Sequence, residues 1–125
     1  MPKTILIVDD SAAIRKFVSL ALKIKGYDII LAEDGMDALE ALPSHQIDLL
    51  ITDLNMPQID GLSLIKNIRE DDEYKDLPII ILTSLTADRY IEEGIKAGAN
   101  SFLPKPFNIE KIQNEVSKYL DIKGK

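Results

Sequence analysis

Four short apolar runs in this sequence end in groups able to do chemistry. Asp9 and Asp10 follow residues 5–8, and Asp53 and Asn55 follow residues 49–51. Thr83 and Ser84 follow residues 79–82, and Lys105 with Pro106 follows residues 101–103. If the runs bring their ends to one place, three carboxylates meet an amine and two hydroxyls. Carboxylates that close repel one another and raise at least one pKa unless a cation compensates. Magnesium suits such a set, since it takes oxygen ligands from one or two carboxylates, waters and phosphate. One histidine, His45, and no cysteine leave no donors for a histidine-rich or thiolate metal site. A carboxylate beside a divalent cation can serve as a nucleophile and form an acyl phosphate. Phosphoryl transfer then needs mainly positioning and charge neutralisation, which Lys105 and the Thr83 hydroxyl can supply.

The elements that must position these groups are legible from patterning. The runs 5–8, 29–32, 49–51, 79–82 and 101–103 are nearly continuous and rich in β-branched residues, as in strands covered on both faces. Between them lie helical patterns. Residues 11–25 carry Ile14, Phe17, Val18 and Ala21 on one face and stop at Gly26. Residues 35–42 form a shorter helix ended by Pro43. Residues 62–70, 88–97 and 109–120 complete the set, the last with Asn108 as N-cap and Phe107 stapled against Ile112. Regular alternation of strand and helix predicts an α/β fold of (βα)5 type, a parallel sheet with helices on both faces. In such sheets ligands bind beyond the carboxyl ends of the strands, where these polar groups fall.

The 125 residues suit one domain spanning 1–125, and no separate output domain is expected. Hydrophobic residues make up 46% and charged residues 29%, a globular balance. A net charge of −6 argues against nucleic-acid binding through a broad basic surface. No stretch has the roughly 18 apolar residues that a bilayer span needs, so no membrane insertion is expected. The expectation is a soluble, cytoplasmic monomer. The charged tail after Leu120 is expected to fray.

Each polar group has a plainer reading by itself. Asp9 and Asp10 could cap a helix. Asp53 and Asn55 could belong to a turn closed by Pro57 and Gly61. Thr83 and Ser84 could cap the following helix, Lys105 could lie on the surface, and Phe102 could be core. His45 reads as a solvated loop residue. Those readings become implausible together, because all the polar groups share one sheet edge.

The segments ILIVDDS, LLITDLNMPQIDG, IIILTS and FLPKPF, with AEDGMDAL and KAGANSF between them, carry a resemblance over essentially the whole chain. It resembles the receiver domains of response regulators, and among them the single-domain chemotaxis regulators. The resemblance implies a flavodoxin-like three-layer sandwich with strand order 2-1-3-4-5. It implies Asp53 as phosphoacceptor. It implies Mg2+ held directly by Asp10, by Asp53 and by the Asn55 carbonyl, with Asp9 acting mainly through water. Lys105 matches the lysine that pairs with the acceptor and then with the phosphoryl group. Thr83 matches the switch hydroxyl, Phe102 the aromatic that follows it, and Pro106 a proline after a cis peptide bond. Asn55 and Leu85 match positions that tune dephosphorylation; Leu85 is apolar where the chemotaxis regulator has an acid, and Phe102 stands where it has tyrosine.

The implied function is a signalling switch of a two-component system rather than an enzyme, apart from catalysing its own phosphorylation and dephosphorylation. On the resemblance, a sensor histidine kinase would phosphorylate it. It would then bind a target protein, of motor-switch or similar kind, through the helix 4, strand 5, helix 5 face, with Tyr90, Lys96 and Lys118 as candidates. The alternative is a phosphorelay intermediate that passes the phosphoryl group to a histidine phosphotransfer protein. A flavodoxin-like electron carrier would need a Ser/Thr/Gly-rich loop where DDSAA stands. A haloacid dehalogenase-type phosphatase would need an acid at Asn55. The absence of GxxxxGK[ST] excludes a P-loop enzyme.

Overall fold

A computed structural model describes residues 2–56, 59–85 and 87–120. Pro57, expected to close a turn, and the tail beyond Leu120 lie outside those residues. Five strands, β1 (Thr4–Val8), β2 (Asp28–Ala32), β3 (Leu49–Thr52), β4 (Ile79–Thr83) and β5 (Ser101–Pro104), alternate with five helices. These are α1 (Ala12–Lys23), α2 (Gly35–Ser44), α3 (Gly61–Arg69), α4 (Asp88–Ala97) and α5 (Ile109–Leu120). The strands form one parallel sheet of order β2-β1-β3-β4-β5, as expected.

The sheet explains the continuous apolar runs. Alternate residues of a strand face opposite sides, and both sides are covered here. Ile5, Ile7, Leu49, Ile51, Ile80 and Leu82 pack with Val18 and Leu22 of α1 and with Ile112 and Val116 of α5. Leu6, Val8, Leu50, Ile79 and Ile81 pack with Ala38 and Leu42 of α2 and with Leu64, Ile65 and Ile68 of α3. The central strands β3 and β4 are buried throughout, whereas the edge strand β2 is not. The result is a three-layer sandwich.

Local signals fix the helix ends. Ser11, Asp34 and Asp60 each accept a hydrogen bond from a backbone N–H in the first turn of α1, α2 and α3. Asn108 does the same for α5, accepting from Lys111 N at 2.8 Å. Phe107 packs against the cluster that contains Ile112, and meets the Phe17 ring edge-on at 5.6 Å. Two expectations need correction. Helix α1 stops at Lys23 rather than Lys25; Gly26, at φ 94°, turns the chain after a looser last turn. Helix α2 runs through Pro43 to Ser44. Proline gives up its own N–H there, with one helical residue still to follow, and the Ser44 hydroxyl donates to the Glu40 carbonyl at 3.1 Å. A one-turn 3-10 helix, Asp72–Tyr74, had no clear periodic signal.

Arg69 locks the α3 end of the molecule to the α4–β5 turn. Its Nε and Nη2 donate to the Gly98 carbonyl at 3.0 and 2.8 Å, and its Nη1 to the Tyr74 carbonyl at 2.6 Å. Nη2 also reaches Asn100 Oδ1, which in turn accepts from Ile79 N. Burial lowers the Arg69 pKa, partly offset by Asp76. Arg69→Ala strips the Gly98 carbonyl of both its donors, while the Tyr74 carbonyl and Asn100 Oδ1 keep Leu77 N and Ile79 N, and about 1–3 kcal/mol of stability is expected to go. Arg69→Lys restores less than half of this, since one ammonium cannot reproduce the planar fork. Chemical denaturation of the three proteins measures both; a loss below about 0.5 kcal/mol in the alanine variant contradicts the assignment.

Candidate functional site

Register brings the acids together. Val8 of β1 lies opposite Thr52 of β3, so Asp9 and Asp53 leave adjacent strands at the same level. The Asp53 N–H donates to the Val8 carbonyl at 3.2 Å, extending that ladder by one bond. Between β1 and β3 the direction of winding reverses, with β2 on one side and β3 on the other, which opens a crevice. Thr83 lies opposite Pro104, so Lys105 follows β5 level with the end of β4, and Lys105 N donates to the Thr83 carbonyl at 2.8 Å. The Lys105–Pro106 peptide bond is cis.

The side chains converge. Lys105 Nζ lies 2.9 Å from Asp9 Oδ2 and 3.1 Å from Asp53 Oδ2, bridging two strands. Asp53 Oδ1 accepts from Leu54 N at 2.7 Å and Asn55 N at 3.3 Å, so both of its oxygens are engaged. Asp9 Oδ1 accepts from Ser11 N at 2.9 Å. Asp9 is 1% exposed and Asp53 7%, while Asp10 is exposed to solvent. Oxygens of Asp9, Asp10 and Asp53 all lie within 4.8 Å of one another. Thr83 is fully buried, and its Oγ1 accepts from Leu85 N at 3.0 Å. Phe102 is half-buried against the cluster shared by α2 and α3, with Leu85 and Tyr90 on the same cluster. Asn55 is exposed. Every site residue singled out in the sequence therefore falls at this edge or directly beneath it, and His45 lies exposed at the other end of α2.

The electrostatics divide by residue. Burial raises the Asp9 pKa, and the Asp53 charge adds to it; the Ser11 N–H and Lys105 oppose but do not cancel this. At Lys105 burial works against the ammonium, yet the two carboxylates outweigh it and hold the pKa above the ordinary value. The acids are thus incompletely neutralised by one lysine. All-oxygen donors with a residual negative charge and one solvent-facing member fit a hard divalent cation such as Mg2+. A groove of about 930 Å³, lined by Lys3, Tyr27, Asp28, His45 and Asp48, lies at the other end of the sheet, and among the described residues it brings no carboxylate trio together.

The raised Asp9 pKa carries a prediction. The folded state holds the Asp9 proton to higher pH than the unfolded state. Stability is therefore fullest while Asp9 is protonated, and falls as pH climbs through its folded pKa. Asp9→Asn lacks this loss, and its single side-chain oxygen can still accept from Ser11 N, as Asp9 Oδ1 does. In chelator at pH 7 the variant is expected to melt above the parent, with the gap closing as the pH falls below the usual carboxylate range. A parent that melts higher at pH 7 contradicts the ordering of burial over pairing.

A family model described as the response regulator receiver domain matches residues 5–117. The chain belongs to that family. Receiver domains are phosphorylation-operated signalling modules of two-component systems, so the pocket just described is a receiver's acidic pocket. Curated relatives include the response regulator MprA of Mycobacterium sp. strain KMS, 38% identical over 112 residues, which cover 90% of this chain and 48% of the relative. MprA of Mycobacterium ulcerans is 39% identical over 112 residues, covering 90% and 47%. The receiver spans about half the length of these curated relatives. Among solved structures, the chemotaxis protein CheY4 of Vibrio cholerae matches with a TM-score of 0.91 at 36% identity, covering 95% of this chain and 99% of that one. A putative response regulator from Chloroflexus aurantiacus matches with a TM-score of 0.92 at 36% identity, covering 97% and 99%. Among the described residues no helix of the receiver is long and apolar enough to cross a membrane.

Proposed function

We propose that this receiver is set by transfer of a phosphoryl group from the phosphohistidine of a sensor histidine kinase to Asp53. The observation that carries this reading is the Lys105 ammonium lodged between Asp9 and Asp53 beside the exposed Asp10. Asp10, Asp53 and the Asn55 carbonyl would hold Mg2+ directly, with Asp9 acting mainly through water. When bound, the ion neutralises charge on the phosphoryl oxygens. An Asp53 oxygen forms the new O–P bond as the N–P bond of the donor breaks. The imidazole nitrogen leaves with the bonding pair.

Lys105 then pairs with a phosphoryl oxygen. The Thr83 hydroxyl turns toward the same group and releases the Leu85 N–H. The space left behind Thr83 admits the Phe102 ring. This shifts a pre-existing equilibrium between two surface states, read out at the α4–β5–α5 face around Tyr90, Lys96 and Lys118. Asn55 and Leu85 flank the acyl phosphate and tune its hydrolysis. Beside Lys105, an apolar groove of about 400 Å³ lined by Ile14, Phe17, Ser84, Pro106 and Phe107 offers a protein donor a foothold.

The use we favour is that of a cytoplasmic, monomeric messenger of motility type. The match to CheY4 over nearly its full length supports it. The MprA relatives, twice as long, leave the target open to other protein classes. The phosphorelay reading is favoured by the exposed apolar stripe of Phe17 and Leu20 on α1 with Ile24 at its C-cap, which suits a helical donor or acceptor. Two measurements discriminate. The chain loaded with beryllofluoride, a phosphoryl mimic, is expected to bind a purified motor-switch protein more tightly than the unloaded chain. Rapid, complete transfer of label from the phosphorylated chain to a histidine phosphotransfer protein, with no such binding, would replace the messenger by the relay.

A further inference from the structure

Arg15 lies on α1, and its Nη1 donates to the backbone carbonyl of Asp9 at 2.6 Å. That carbonyl belongs to the peptide joining Asp9 to Asp10. A peptide is planar, so holding its oxygen also fixes the direction in which the Cα of Asp10 leaves. The Asp9 side chain has holders of its own, Ser11 N and Lys105. Among the described residues, no hydrogen bond or ion pair holds the Asp10 carboxylate.

We propose that Arg15 is a positioning residue for the divalent cation. It aims Asp10 at the pocket by clamping the Asp9–Asp10 peptide. This deepens the phosphorylation reading and rests on it. The placement of Arg15 is otherwise costly: a cation near the amino end of a helix opposes the helix dipole. A guanidinium bonded to the Asp9 carbonyl also adds positive charge near the pocket, which opposes a bound cation. Charge and position therefore predict opposite signs. If Arg15 acted by charge alone, removing it would tighten Mg2+ binding. If it acts by position, removing it weakens Mg2+ binding.

The test is calorimetric titration of the metal-free protein with MgCl2, in parallel with the Asp10 and Ser11 amide resonances. Arg15→Met keeps the stem and a good helix former on a half-exposed position. Its Mg2+ affinity is expected to fall about tenfold, the effect typical of residues that orient a metal ligand from behind. The Asp10 amide is expected to shift even without metal. Arg15→Lys, which keeps the charge and one donor, restores part of the affinity. Unchanged or tighter binding in Arg15→Met, or no recovery in Arg15→Lys, overturns the proposal. Apo melting temperatures of the variants separate a folding defect from a binding one. If the parent itself takes up neither Mg2+ nor a phosphoryl group, it is the phosphorylation reading that fails.

Discussion

Asp53→Asn is expected to abolish phosphorylation by acetyl phosphate and by a kinase alike, a loss of more than about a thousandfold. The amide is a poor nucleophile, and no neighbour can replace it. Asp9 is as buried as Asp53 but is tied to Ser11 N and to the same lysine, and Asp10 is offered to the metal. Asparagine at position 53 retains an oxygen that can accept from Leu54 N and Asn55 N, so the β3 end keeps its shape. The variant is therefore expected to fold normally by circular dichroism. Intact-mass spectrometry after incubation with acetyl phosphate and Mg2+ reads the result directly. One phosphoryl adduct on the parent and none on the variant is expected. An equal adduct on both would move the acceptor elsewhere.

Much of this pocket was legible because polar residues stood at strand ends, where an α/β sheet gathers its chemistry. The continuous runs announced strands buried on both faces, and their register did the remaining work. Val8 opposite Thr52 suffices to set Asp9 beside Asp53. What patterning could not show was direction. That one lysine would bridge Asp9 and Asp53, rather than face the acceptor alone, depends on where β5 ends relative to β4. Strand order itself came from resemblance, since alternation of elements is compatible with several windings. Arg15 and Arg69 were missed because both act through backbone carbonyls, which every residue has. The sequence signal for Arg15 was negative: a basic residue in the first turns of a helix, where a local rule disfavours it. Pro43 misled in the opposite way: it removes only its own N–H, and the helix continues one residue past it to Ser44 before ending.

Gly61→Ala is expected to be the most damaging small substitution near the pocket. Gly61 opens α3, and its N–H donates to the Leu54 carbonyl at 3.0 Å, so the helix starts against the chain leaving β3. A methyl group there would collide with the Asp53 carbonyl oxygen and lie 2.7 Å from Leu54 Cα and 2.9 Å from the Asp53 carbonyl carbon. These are backbone atoms at the end of a fully buried strand, and they cannot swing aside as a side-chain tip can. Gly94 makes a useful contrast. A methyl there meets the far end of the Ile81 side chain, which can change rotamer. The clash at Gly61 is relieved only by moving α3 outward or by moving Asp53. The first opens the packing of Leu64, Ile65 and Ile68 and is expected to cost about 3 kcal/mol or more, at the upper end for overpacking. In a domain of this size that lowers the melting temperature by roughly 10 °C or more. The second displaces the acceptor from Lys105, and a shift of about 1 Å at a reacting centre can cost on the order of a hundredfold in rate. Thermal melts and acetyl phosphate kinetics on Gly61→Ala and Gly94→Ala separate the two routes. Gly94→Ala should lose less stability and keep its phosphorylation rate within severalfold. A Gly61→Ala protein that melts and reacts like the parent would mean that the β3–α3 junction yields far more easily than its contacts imply.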